Sequence, residues 1–144
     1  MSQAKTGPYG KKHPSDLRPD PKIADALKQK SGKGSVPCAL AFQIADELQR
    51  PPAEVGLAMD LLELPIAKCQ LGLFGYQPRK RIVKPAESVP DALRASIQAR
   101  LVRDRLPCLA AWEIAKTFGL RKMEVSSACE FLKIKISKCQ LGAF

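Results

Sequence analysis

The chain has 144 residues, of which 45% are hydrophobic, and its 24 Lys and Arg against 14 Asp and Glu give a formal net charge of +10. That apolar content excludes wholesale disorder, no apolar run approaches the roughly 18 residues of a membrane span, and the opening MSQAKTGPYGKKHPSD lacks the apolar core of a secretory signal. The expectation is a cytoplasmic protein with thiols rather than disulfides, no membrane partner, and an anionic ligand, nucleic acid before any other.

Residues 1–19 read as a flexible basic tail, since they hold too little apolar content to order themselves. A proline-started helix comes next, with Ile23 and Leu27 at helical spacing, and then the mobile SGKGS of residues 31–35. The next helix opens at Pro37, where a missing amide proton costs nothing, and its inward stripe is Leu40, Ile44 and Leu48. After a tight turn stiffened by Arg50-Pro51-Pro52, a second helix carries Val55, Ala58 and Leu62 on one face. The period then changes to two: Leu64 and Ile66 alternate with Pro65 and Ala67, which predicts a strand ending in KCQLG, residues 68–72. RKRIVK, residues 79–84, is suited to a returning strand, and residues 85–89 form a linker.

From Pro90 the same order recurs. Sliding the chain by 70 residues lays Val36–Phe74 over Leu106–Phe144 without a gap, with 16 identities in 39 positions, including a second KCQLG at Lys138–Gly142. Composition alone would give roughly 2 or 3 identities. A folding unit has been duplicated. In the second copy Leu93, Ile97 and Leu101 mark the leading helix; Ala111, Ile114 and Phe118 mark the helix after Pro107; Val125, Ala128 and Leu132 mark the next. Ile134 and Ile136 then alternate with Lys133, Lys135 and Ser137.

Helix, turn and helix, with a small residue on the first helix (Ala45, Ala115) and an apolar one ten positions later (Val55, Val125), resembles helix-turn-helix domains of the winged-helix kind. The second copy also has Gly119 at the turn position where a left-handed backbone is usual, whereas the first has Gln49 there. The resemblance implies a mostly α fold with small β elements, built as two tandem winged-helix-like units at residues 20–84 and 90–144, the second with its wing truncated. It further implies a non-enzymatic, regulatory DNA-binding protein in which the second helix of a unit lies in the major groove.

The two second helices differ in what they offer to duplex DNA. The later copy presents Arg121, Lys122, Ser126 and Ser127, suited to phosphates and base edges. The earlier one has no Lys or Arg after Arg50, and residues 36–76 carry a net −3. There the expected phosphate contacts are the wing cations Arg79, Lys80, Arg81 and Lys84. The acidic first unit suits a protein partner instead, so the alternative function is a protein–protein adaptor or scaffold on the same fold.

Four of the five cysteines obey the repeat, Cys38 with Cys108 and Cys69 with Cys139. Each unit thus has one thiol at a helix N-terminus and one near the strand, which leaves open a thiol-based redox or metal sensor. There is no CxxC, and the single histidine, His13, lies in the tail, so no metal site or cofactor is expected and the thiols read first as small buried hydrophobes. A phosphate loop, HExxH and a histidine placed to serve a cysteine are all missing from the sequence, which argues against an enzyme.

Overall fold

The computed structural model describes residues 17–31, 34–76 and 81–144. Among these the protein is mostly helical with short strands: α1 (Pro21–Lys30), β1 (Val36–Pro37), α2 (Cys38–Leu48), α3 (Pro52–Leu61), β2 (Ile66–Ala67), α4 (Asp91–Ala99), β3 (Arg105–Pro107), α5 (Cys108–Phe118), α6 (Lys122–Leu132) and β4 (Lys135–Ser137). The order helix–strand–helix–helix–strand occurs twice, as the internal repeat requires. No helix among the described residues is long and apolar enough to cross a membrane.

Contacts divide the chain into two compact units. The first runs to Cys69 and also takes Leu141–Ala143; the second comprises Gln70–Gln140 and Phe144. In the first, α1 packs on both α2 and α3, and Ile23, Leu27, Val36, Ala41, Ile44, Val55, Ala58 and Met59 are buried almost completely. In the second, Leu93 and Ile97 of α4, Leu106, Ala111 and Ile114, and Val125, Ala128 and Cys129 of α6 fill the same role. Phe118, expected on the inward stripe, is 37% exposed, because the buried face of α5 runs through Ala110, Ala111, Ile114 and Ala115 instead.

Pro37 and Pro107 are the residues immediately before α2 and α5, with φ of −59° and −62°. Their fixed φ sets the chain direction as the short strand turns into the helix. Both first helices end the same way. Gln49 (φ 54°) and Gly119 (φ 66°) are left-handed, and the next amides along the chain, Arg50 and Leu120, bond back to the carbonyls of Ala45 and Ala115 at 2.9 and 2.8 Å. This is the Schellman ending, which satisfies carbonyls the helix would otherwise leave open. The first copy therefore keeps the left-handed turn with a glutamine in it. The second helices end in the same motif at Glu63 and Lys133, where Leu64 and Ile134 bond back to Met59 and Cys129.

The strands pair in parallel. Val36 lies opposite Ile66 and Pro37 opposite Ala67; Arg105, Leu106 and Pro107 lie opposite Lys135, Ile136 and Ser137. KCQLG is not part of either strand, contrary to the alternation reading. Both strands stop one residue before it, and Lys68 and Lys138 have φ of 50° while Gly72 and Gly142 have φ of 75° and 86°. The motif is a turn bounded by two left-handed residues. A left-handed residue reverses the chain and ends the pleat, so no ladder can continue through it.

Close packing surrounds each turn. In the first unit Gly56 of α3 lies against Leu141: a Cβ there would sit 1.8 Å from the Leu141 carbonyl oxygen. In the second unit the Gly72 backbone lies against the side chain of Met123. The Gly72 carbonyl accepts from the amides of Ile82 (2.9 Å) and Val83 (3.2 Å), and Phe74 meets Phe144 edge to face at 6.0 Å. Residues 81–84 form no strand; 79 and 80 lie outside the described residues. The segment instead lies along α6, held by the buried Val83, by an Arg81–Glu130 ion pair of 2.8 Å, and by the Ala86 amide on the Ser127 carbonyl at 3.0 Å.

Candidate nucleic-acid interface

The N-terminus of α6 places Arg121 and Lys122 side by side. Arg121 precedes the first turn with its side chain 86% exposed, and its backbone N–H donates to Glu124 Oε1 at 2.8 Å. That bond, reinforced by the Arg121 guanidinium, holds the Glu124 carboxyl below its ordinary pKa. Lys122 lies with its ammonium 4.4 Å from the centroid of the Trp112 ring, a cation–π contact that keeps the side chain low on the surface. Ser127 is half-buried and, with Gln70, Arg121, Lys122, Met123 and Glu124, lines an open cleft of about 420 Å³.

Ser126 must be taken out of the contact set. It is 1% exposed, and its Oγ has no hydrogen-bond partner among the described residues. The buried face of α6 comprises Val125, Ser126, Ala128 and Cys129; relative to the Val125–Ala128–Leu132 stripe read from the sequence it adds Ser126 and Cys129, while Leu132 is only half-buried. The outward face of α6 has mixed sign, because Glu124 and Glu130 stand on it beside Lys122. Of the wing cations, Arg81 is paired with Glu130, Lys84 is exposed, and Arg79 and Lys80 lie outside the described residues.

Strand register assembles a second basic group that helix reasoning did not single out. Arg105 on β3 is the direct partner of Lys135 on β4, and Lys133 precedes Lys135 by two residues. All three are exposed, as is Lys138 at the adjoining turn, and none has an ion-pair partner among the described residues. Their repeat counterparts in the first unit are Ser35, Glu63 and Pro65, with only Lys68 keeping its charge. The signal for this group was present as alternation in KIKISK, but Arg105 lies 30 residues earlier and only the pairing brings it there.

Each unit also has a notch beside its helix–turn–helix. In the first it is about 320 Å³, lined by Phe42, Ala45, Asp46, Gln49, Arg50 and Pro52. In the second it is about 370 Å³, lined by Leu109, Trp112, Glu113, Ala115, Lys116, Leu120 and Lys122.

The thiols are largely enclosed. Cys38, Cys69, Cys108 and Cys129 are buried, Cys139 is partly exposed, and none of the five is in a disulfide. Burial, with Glu130 adding to it, pushes the Cys129 thiol up to about 12. Gln140 Nε2 donates to Cys108 Sγ at 3.4 Å. Among the described residues no group of three or more His, Cys, Asp or Glu side chains is arranged to hold a metal ion. No protein-family model, curated protein or solved structure matches the chain.

Proposed function

We propose that the protein binds double-stranded DNA as a non-enzymatic regulator of the helix-turn-helix, winged-helix-like kind, and that its second unit holds the duplex mainly by its phosphates. The observation that carries this reading is the placement of Arg105 opposite Lys135, with Lys133 and Lys138 adjoining, exposed and without counter-charges among the described residues. Like charges directly opposite on paired strands destabilise a sheet, by a few tenths of a kcal/mol to about 1 kcal/mol. The fold does not require them, since the first copy makes the same parallel pairing from Val36–Pro37 and Ile66–Ala67 alone, with uncharged Ser35 and Pro65 just ahead of its strands where Arg105 and Lys135 form the extra pair. An anion laid along the strand edge would relieve that repulsion. Arg121, at the start of α6, adds a fifth exposed cation, and Lys122 and Ser127 remain on the outer side of the helix.

The test is a titration of a labelled duplex at several salt concentrations. Phosphate contacts predict a linear fall of log affinity with log salt, and reversal of Arg105 and Lys135 to Glu should remove about one unit of slope each. Unchanged affinity and slope in the doubly reversed protein would sink the assignment.

A further inference from the structure

The notch in the second unit differs from its counterpart in ways the fold does not demand. Its walls are Leu109, Trp112, Ala115 and Leu120, with Leu109 51% exposed. Leu109 stands where the first copy has Ala39, Leu120 where it has Arg50, Lys116 where it has Asp46, and Lys122 where it has Pro52. Glu113, on the rim, is engaged by Arg100. Lys116 and Lys122 have no ion-pair partner among the described residues. The result is an aliphatic and aromatic depression with two uncompensated positive charges beside it.

We propose that this notch is a docking site for an acidic, amphipathic protein segment. One large apolar side chain of the segment would seat against Trp112, Leu109 and Leu120, and flanking carboxylates would pair with Lys116 and Lys122. Charge complementarity selects the acidic partner. The wall chemistry selects protein over nucleic acid: three of the four wall residues are aliphatic, and the Lys122 ammonium already covers a face of the Trp112 ring, where a base would need to stack. At about 370 Å³ the notch is near the lower limit of ligand sites, enough for one or two anchoring side chains. The first unit's notch has the opposite bias. Arg50 there is engaged by Asp20 and Glu54, which leaves Asp46 as the uncompensated charge, so the duplicated site has diverged toward partners of different sign.

Lys122 borders both this notch and the proposed duplex face, so the inference is tested at Leu109 and Lys116, which belong to none of the phosphate-contact groups. Trp112 is the chain's one tryptophan, so its fluorescence reports the notch directly. The probe is a tryptophan-free synthetic peptide of alternating Glu and Leu, added to the full chain. The expected result is a saturable change in Trp112 emission, weakened roughly tenfold by Lys116→Glu and by Leu109→Ser, as expected for the loss of one good contact. The Arg105→Glu, Lys135→Glu protein should bind the peptide unchanged. Both notch positions are exposed, so unaltered circular dichroism will show that these variants fold. Equal binding of a Gln-for-Glu peptide would overturn the charge argument, as would absence of any saturable change. Displacement of the peptide by a short single-stranded oligonucleotide would reassign the notch to nucleic acid.

Discussion

Gly56→Ala sets two well-characterised effects against each other. Glycine inside a helix costs about 1 kcal/mol relative to alanine, so propensity alone predicts a gain in stability. The added methyl, however, would lie 1.8 Å from the Leu141 carbonyl oxygen, 2.6 Å from its carbon and 2.9 Å from its Cα. All three are backbone atoms, and no rotamer change moves them away. The segment at 141–143 must lift or α3 must distort. Leu141 is 2% exposed, and exposing a leucine costs about 1.5–3 kcal/mol, so the net effect is a loss of roughly 0.5–2 kcal/mol. The assay is urea unfolding monitored by circular dichroism, on the full chain and on a chain ending at Gln140. In the shortened chain the same substitution should stabilise by about 1 kcal/mol, because only propensity remains. The sign should invert between backgrounds. A higher unfolding midpoint for Gly56→Ala in the full chain would refute the proposed contact.

Three further outcomes are expected. Ser126→Ala removes a buried hydroxyl without a hydrogen bond and improves helix propensity, so it should raise stability by up to about 1 kcal/mol and leave duplex affinity unaltered; weaker duplex binding would return Ser126 to the interface. Asp20 caps α1 by accepting from the Lys22 amide at 2.8 Å, and its carboxyl is held below the ordinary 3.8, chiefly by the hydrogen bond from Arg50. Its folded pKa lies below its unfolded one, so its contribution to stability is present above the ordinary value and lost as pH falls through the depressed one. Asp20→Asn should therefore flatten the acid limb of a melting-temperature profile below about pH 4, and a parallel profile would contradict the pairing. Alkylation of the native protein near pH 8 should label Cys139 first and Cys129 last, because Cys129 stays protonated and enclosed. Early labelling of Cys129, read by peptide mass mapping, would show that α6 opens readily.

Much of this protein was legible in the sequence. The duplication, the paired helices and their starts at Pro37 and Pro107 come from identity at a fixed offset, from helical spacing and from the missing proline amide. The left-handed turn at Gly119 comes from a residue that adopts that backbone without steric cost. These are properties of short stretches of chain, where local geometry and residue type suffice. The left-handed lysines in KCQLG were not legible, since lysine has no preference for that backbone and the tertiary structure imposes it. Nor was the inward turn of Ser126: a helix buried over a wider arc than one stripe takes in a position that periodicity assigns to solvent. The alternation in KIKISK pointed to a strand, but its direction and partner were set by packing, and only that parallel register puts Arg105 beside Lys135. Charge composition established that the chain is basic. Which cations stand together without counter-charges, and which are already tied to Glu130 or laid over Trp112, was decided by contacts between residues far apart in sequence, which no local pattern encodes.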